Sequence, residues 1–330
     1  MTSGSAIDTR VRVGSIELAN PVLLASGTAG YGAELSTYLD LSAVGAVVAK
    51  SLAAYAWAGN PAPRLAPAGV GMLNAVGLQG SGIQHWLAEE LPPLLATGAT
   101  VVASIWGRTV DDYRRAADLL ADAPPAVVAV EVNLSCPNLE GRRGIFAHDP
   151  DLSAEVIAST AGCGRPRWAK LSPNTDRVVE VAGAVHQAGA EAVTLVNTLL
   201  GMVVDGATLR PALAAGGGGL SGQGIHPVAV RIVHDVRVAH PGLPIVGVGG
   251  VSSGWDAIEL MLVGAGAVGV GTATFAEPRA AARIAGEMVG WAGRHGFVAL
   301  AEISGRAHDS AHDSAHDSAS DSASDAAHGT

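Results

Sequence analysis

Eight short aliphatic runs recur along the chain, and helix-like stretches separate most of them. The runs are "PVLLAS" (21–26), "AVVAK" (46–50), "VVASIW" (101–106), "VVAVEVN" (127–133), "RWAKLS" (167–172), "AVTLVN" (192–197), "PIVGVG" (244–249) and "AVGVG" (267–271). Strands that are buried on both faces read as continuous apolar runs, and strands that alternate with helices build parallel sheets. Stretches such as "TVDDYRRAADLLADA" and "WDAIELMLVGAG" supply the intervening helices. Eight repeats point to an α/β fold, a closed (β/α)8 TIM barrel. The rival is an open doubly wound sheet, but no GxGxxG follows the first run. A hydrophobic fraction of 48% gives such a barrel a large core, and 43 glycines against 4% aromatics imply aliphatic packing with many tight turns.

The end of the chain differs in kind. "AHDSAHDSAHDSASDSASDAAHGT" repeats a four-residue unit without apolar periodicity, so it cannot bury enough surface to repay ordering. We therefore expect a catalytic domain over 1–304 and a disordered His/Asp/Ser-rich tail over 305–330. The His-Asp repeats are read as solvated, and no metal site is expected. The net charge of −10 argues against a nucleic-acid partner, which needs a basic face. No run approaches the roughly 20 apolar residues of a membrane span, and "MTSGSAIDTR" is not a signal peptide. Two cysteines, Cys136 and Cys163, are too few for a disulfide framework or an iron–sulfur cluster. A reducing cytoplasm is the natural compartment.

Only two of the 20 basic residues are lysines, Lys50 and Lys170. In a barrel the active site lies at the C-terminal ends of the strands, and both lysines fall there. The second run ends in Lys50-Ser51, the fourth in Asn133 with Cys136 and Asn138 beyond it, and the fifth near Lys170. The sixth ends in Asn197-Thr198, the seventh in Gly249-Gly250 and the eighth in Gly271-Thr272.

The glycine-rich turns after the seventh and eighth runs suit phosphate, because bare backbone N–H groups can approach its oxygens there. A third glycine segment, "GGGGLSGQGIHP" (216–227), could bend around the same ligand. The amides of Asn74 (in a long loop after the second run), Asn133, Asn138 and Asn197 suit a flat heterocycle with C=O and N–H edges and a carboxylate within reach of Lys50. Asn20, Asn60 and Asn174 read instead as loop amides capping turns. A thiol at Cys136 can act as nucleophile or base if its pKa is tuned. No histidine stands near it in sequence. Proton abstraction from carbon, coupled to departure of a hydride, fits better than a protease-like pair. A hydride needs an acceptor that side chains cannot provide, so a cofactor is required. A phosphate-bearing flavin would use the glycine loops, with Lys170 beside the reduced ring. Cys163 precedes the fifth run, at the opposite end, and reads as structural.

"ASGTAGYG", "AKS", "GMLNAVGLQG", "NLSCPN", "AKLSPN", "LVNT", "GGLSGQGIHPVA", "GVGGVSS" and "GTATF" resemble class 1 dihydroorotate dehydrogenases, in particular the catalytic subunit of class 1B, in order and spacing from about residue 9 to 300. The resemblance implies an FMN-containing barrel that oxidises dihydroorotate to orotate in pyrimidine synthesis. It implies Cys136 as the base for the C5 proton. It places Lys50, Asn74, Asn133, Asn138, Asn197, Thr198 and the backbone of Val76, Gly77 and Leu78 at the substrate. It gives Ser26, Gly27, Lys50, Ser51, Asn133, Lys170, Val196, Gly222, Gly249, Gly250, Gly271 and Thr272 to FMN. Class 1B members pass electrons to a second subunit that carries FAD and a [2Fe–2S] cluster and reduces NAD⁺, in an assembly of two catalytic and two electron-transfer subunits. Two alternatives are a fumarate-linked class 1A enzyme, which usually reads "SMGLPN" where this chain reads "AVGLQG", and a dihydropyrimidine dehydrogenase-like flavoenzyme. A third is a flavin-free phosphate-binding barrel. The chain departs from the family pattern at Gly80, where asparagine is frequent, and at Arg143 and Ala147 in the loop after the cysteine.

Overall fold

The computed structural model of the chain describes residues 7–135 and 145–309. Each of the eight runs contributes one strand of a closed parallel barrel: Val22–Leu24 (β1), Ala46–Val48 (β2), Val101–Ile105 (β3), Val127–Asn133 (β4), Arg167–Lys170 (β5), Ala192–Leu195 (β6), Ile245–Val248 (β7) and Ala267–Val270 (β8). β8 pairs back onto β1 and closes the ring. These strands are buried along almost their whole length, facing both the barrel interior and the surrounding helices, which is why they read as unbroken apolar runs.

The outer helices start where their caps direct. The Thr109 hydroxyl accepts from the Asp112 N–H at the head of the helix Val110–Leu119. Ser253 and Asp256 form a reciprocal capping box before Gly254–Leu262. The helix after β2 is less regular. It contains a π turn over Trp86–Glu90 just ahead of Pro92 and Pro93. These prolines have no N–H to complete an α-helical ladder, and the wider turn accommodates that loss. Cys163 is buried in the turn before β5 and is a free thiol.

Two parts of the fold were not expected from the sequence. A hairpin, Val11–Val13 with Ile16–Leu18, precedes the barrel. A four-stranded antiparallel sheet, in the order Leu199–Gly201, Gly218–Gly222, Gly71–Asn74, Leu65–Ala68, is built from the segments that follow β2 and β6. It corrects two expectations. Part of "GGGGLSGQGIHP" is a strand rather than a bending loop, and Asn74 ends a strand instead of lying in a long loop. Glycine serves close backbone approach here: a Cβ on Gly71 would lie 2.0 Å from the Ser221 carbonyl oxygen, and one on Gly218 would lie 2.5 Å from that of Asn74. Gly71→Ala is therefore expected to force these strands apart. The cost should be about 1–3 kcal/mol in urea unfolding, with weaker ligand binding beneath the sheet.

Folded packing also continues past residue 304. The Gly305 N–H donates to Met261 O, the His308 ring Nε2 lies 3.0 Å from Val263 O, and that ring stacks on His234. Residues 305–309 thus pack against the barrel, and the rest of the repeat lies outside the described residues. Among the described residues, no helix is long and apolar enough to cross a membrane.

Candidate active site at the C-terminal rim of the barrel

The strand ends and the four-stranded sheet enclose a cavity of about 780 Å³. Every described residue that the sequence singled out for substrate or cofactor lines it, from Ser26 and Gly27 after β1 to Gly271 and Thr272 after β8. Cys136 and Asn138 lie outside the described residues, as does Arg143. Ser135, the last described residue before Cys136, does line the cavity.

A continuous polar network lies under this cavity. The Ser26 and Ser51 hydroxyls are 3.3 Å apart, and those of Ser51 and Ser104 are 2.9 Å apart. Ser104 donates to Glu131 Oε1 at 3.2 Å, and Lys170 Nζ lies 3.6 Å from the same oxygen. Both side chains of this ion pair are almost fully buried, at 8% and 3% exposure. Asn133 Nδ2 donates to Ser51 Oγ, while its Oδ1 accepts from Asn197 Nδ2 and from the Ser135 N–H. Asn197 Oδ1 in turn accepts from the Thr198 N–H at 2.8 Å. The two central amides are thereby held in fixed orientations, with a defined pattern of donors and acceptors at the cavity floor. Glu131 and Ser104 were missed from the sequence. Their signal was a carboxylate and a hydroxyl inside runs that are otherwise wholly apolar.

Lys50, next to Ser51 in the chain, also lines the cavity and is half-buried. Its Nζ donates to the Gln79 carbonyl at 2.9 Å and lies 4.9 Å from the centre of the Tyr31 ring. The Tyr31 hydroxyl donates to that same carbonyl. Burial draws the Lys50 ammonium below its ordinary pKa; Arg64 adds to the effect and Glu90 opposes it. Burial likewise pushes the Tyr31 phenol up to about 12, with help from Glu90 and Glu34. The segment before Gln79 is tightly shaped. Gly77 and Leu78 both have left-handed φ, +72° and +61°, and a Cβ on Gly77 would fall 2.6 Å from Asn60. Asn60 tethers the turn through Ala75 O. Asn174 ties Ser172 to the Thr198–Leu200 segment. These two amides do hold turns, as their setting in the sequence suggested, and both also line the cavity.

The glycine turns fit a phosphate. Gly249 and Gly250 have φ of +145° and +71°, conformations that other residues rarely adopt. A Cβ on Gly250 would meet His226, 2.6 Å from its Cβ. The His226 Nδ1–H donates to Gly249 O at 2.8 Å and fixes the turn from below. The backbone N–H groups of Gly250, Val251, Gly271 and Thr272 donate to no other group of the described residues, which leaves them available to phosphate oxygens.

The family model described as dihydroorotate dehydrogenase matches residues 9–290. The chain belongs to the dihydroorotate dehydrogenase family. Membership makes it an oxidoreductase. Among its relatives is the protein named dihydroorotate dehydrogenase B (NAD(+)), catalytic subunit, of Geotalea daltonii, which is 44% identical over 299 residues, 90% of this chain and 97% of the relative. The proteins of the same name from Citrifermentans bemidjiense and Geobacter sulfurreducens are 46% and 42% identical, covering 85% and 90% of this chain and 92% and 97% of the relatives. These names favour the NAD-linked class over the fumarate-linked and dihydropyrimidine alternatives.

Two departures from the usual dihydroorotate dehydrogenase pattern now have a setting. A Cβ on Gly80 would press on the Tyr31 hydroxyl at 2.7 Å, so glycine here goes with the Tyr31–Gln79 contact. Ala147, like its neighbour Phe146, is buried in the short turn Phe146–His148.

Proposed function

We propose that this chain oxidises dihydroorotate to orotate in pyrimidine biosynthesis, with FMN as the resident hydride acceptor. The observation that carries the proposal is that the only two lysines of the chain, Lys50 and Lys170, open on one rim cavity together with the locked Asn133–Asn197 pair. The reaction removes a proton from C5 and a hydride from C6 and leaves a C5=C6 double bond. FMN supplies the chemistry of hydride acceptance when it is bound.

The remaining work falls to residues of the chain. Cys136 Sγ, as thiolate, takes the C5 proton. Lys50 and the backbone of Val76, Gly77 and Leu78 hold the substrate carboxylate. Asn74, Asn133, Asn138, Asn197 and Thr198 read the edges of the ring. Ser26, Gly27, Lys50, Ser51, Asn133, Lys170, Val196 and Gly222 would surround the flavin, while the turns Gly249-Gly250 and Gly271-Thr272 would take its phosphate. Lys170 offers positive charge where a reduced ring gathers negative charge, and Glu131 keeps that ammonium in place. A separate subunit carrying FAD and a [2Fe–2S] cluster would take the electrons on to NAD⁺. The assembly has two subunits of each kind and is cytoplasmic. The catalytic module extends to about Asp309, and the remaining His/Asp/Ser-rich segment is a tail without a catalytic part.

Without oxygen, dihydroorotate should bleach the yellow purified protein and dihydrouracil should not. A protein that stays colourless when supplied with FMN, or one reduced equally by both compounds, would overturn the reading. The state of Lys50 adds a pH dependence. Only the charged ammonium holds a carboxylate, and burial makes the free protein release that proton below the ordinary 10.5. Orotate affinity is expected to begin falling at a lower alkaline pH than a free lysine would dictate. Lys50→Met should weaken binding and abolish this limb in a titration of Kd against pH.

A further inference from the structure

Two buried polar atoms inside the barrel have no hydrogen-bond partner among the described residues: the indole Nε1 of Trp168 and the hydroxyl of Thr194. Their side chains are 0% and 1% exposed. Trp168 precedes Lys170 by two positions on β5 and so shares its inward face. Thr194 on β6 is the register neighbour of Lys170, and Glu131 on β4 is that of Trp168. A void of about 10 Å³ is lined by Trp168, Thr194, Glu131 and Lys170 together with aliphatic side chains such as Leu23, Val48 and Val246. Ser26 and Lys170 line both this void and the large cavity, so it sits directly beneath the cavity floor.

The chemistry of the walls defines the occupant. An indole N–H only donates, so the occupant must accept. The contacts of Glu131 with Ser104 and Lys170 both fall on Oε1, and a carboxylate on the wall favours an occupant that can also donate. The indole N–H and the Lys170 ammonium repel a cation, and the carboxylate repels an anion. The volume matches a single water molecule.

We infer that this void is a site for one structural water, which accepts from Trp168 Nε1–H, donates to Glu131 and completes the hydrogen bonding of Thr194. Trp168 and Thr194 are then positioning residues. Through the water they share the charge of Glu131, and so set how much of it remains to offset Lys170 at the cavity floor. The water site rests only on atoms of the chain and stands whether or not FMN is the group above it; the effect on Lys170 deepens the flavin reading.

The test uses the full chain with ¹⁵N-labelled indoles, with the Trp168 resonance assigned from Trp168→Phe. A long-lived water contact at the Trp168 indole proton is expected, with one density peak within hydrogen-bond distance of Nε1 and Thr194 Oγ1 in a crystal structure that resolves waters. An empty void, or either atom turned to another protein partner, would overturn the site. In the FMN-loaded protein, Thr194→Val should lose the water and shift the flavin midpoint potential downward, because more of the Glu131 charge then bears on Lys170. An unchanged potential would overturn the positioning role and leave the water itself in place. If Thr194→Val does not fold, the wild-type spectrum and density alone decide the site. If the protein never binds FMN, the indole measurement still reads the water.

Discussion

Lys170→Met is expected to destabilise the fold by about 3–5 kcal/mol and, separately, to slow flavin reduction. The stability loss follows from burial. Lys170 Nζ and Glu131 Oε1 are 3.6 Å apart and almost wholly removed from solvent, and deleting one partner of such a pair leaves an uncompensated charge. Lys170→Met combined with Glu131→Gln removes both charges and should recover most of the stability while remaining slow. Urea unfolding, set beside anaerobic single-turnover reduction, separates the two effects. A double variant as fragile as the single one would show that the pair is not what Lys170 contributes to the fold.

Cys136→Ala should lower the rate of flavin reduction by dihydroorotate about 10²- to 10⁴-fold, the range associated with a positioned general base, without loss of bound flavin. The cysteine follows directly on Ser135, a cavity-lining residue, and Asn133, whose amide is locked against Ser51 and Asn197. Its chain segment therefore leaves β4 at the substrate end of the site. Cys136→Ser should retain partial activity that rises with pH, because a hydroxyl gives up its proton less readily than a thiol. Stopped-flow absorbance of the flavin measures both. A Cys136→Ala rate equal to that of the parent would place the base elsewhere.

The barrel was legible because its strands are buried on both sides, so each of the eight runs announces itself without reference to the others. The rim residues were legible because the ends of those runs can be counted. The four-stranded sheet over the cavity was not. Its strands read "LAPA", "GMLN", "LLG" and "GGLSG", sequences with proline and glycine where β-propensity expects branched side chains. They pair because bare backbones can approach closely, and that depends on which distant segment lies opposite. Glu131 shows a different gap. One carboxylate two positions before Asn133 must point to the same side of β4 and needs a cation, and Lys170, at the inward end of the neighbouring run, is placed to supply it. That deduction was available once a barrel was assumed. The partnership of Gln79 with Lys50 and Tyr31 was not, because it runs through a backbone carbonyl that no sequence pattern marks.

The scarcity of lysine has a practical corollary for chemical biology. Apart from the N-terminus, the protein presents just two primary amines to an acylating reagent. Lys170 is almost fully buried at the cavity lining and paired with a carboxylate, and Lys50 stands half-buried at the wall of the chamber. A succinimidyl ester, which ordinarily decorates a protein at random, would here behave as an affinity label, and orotate should shield the one side chain it can reach.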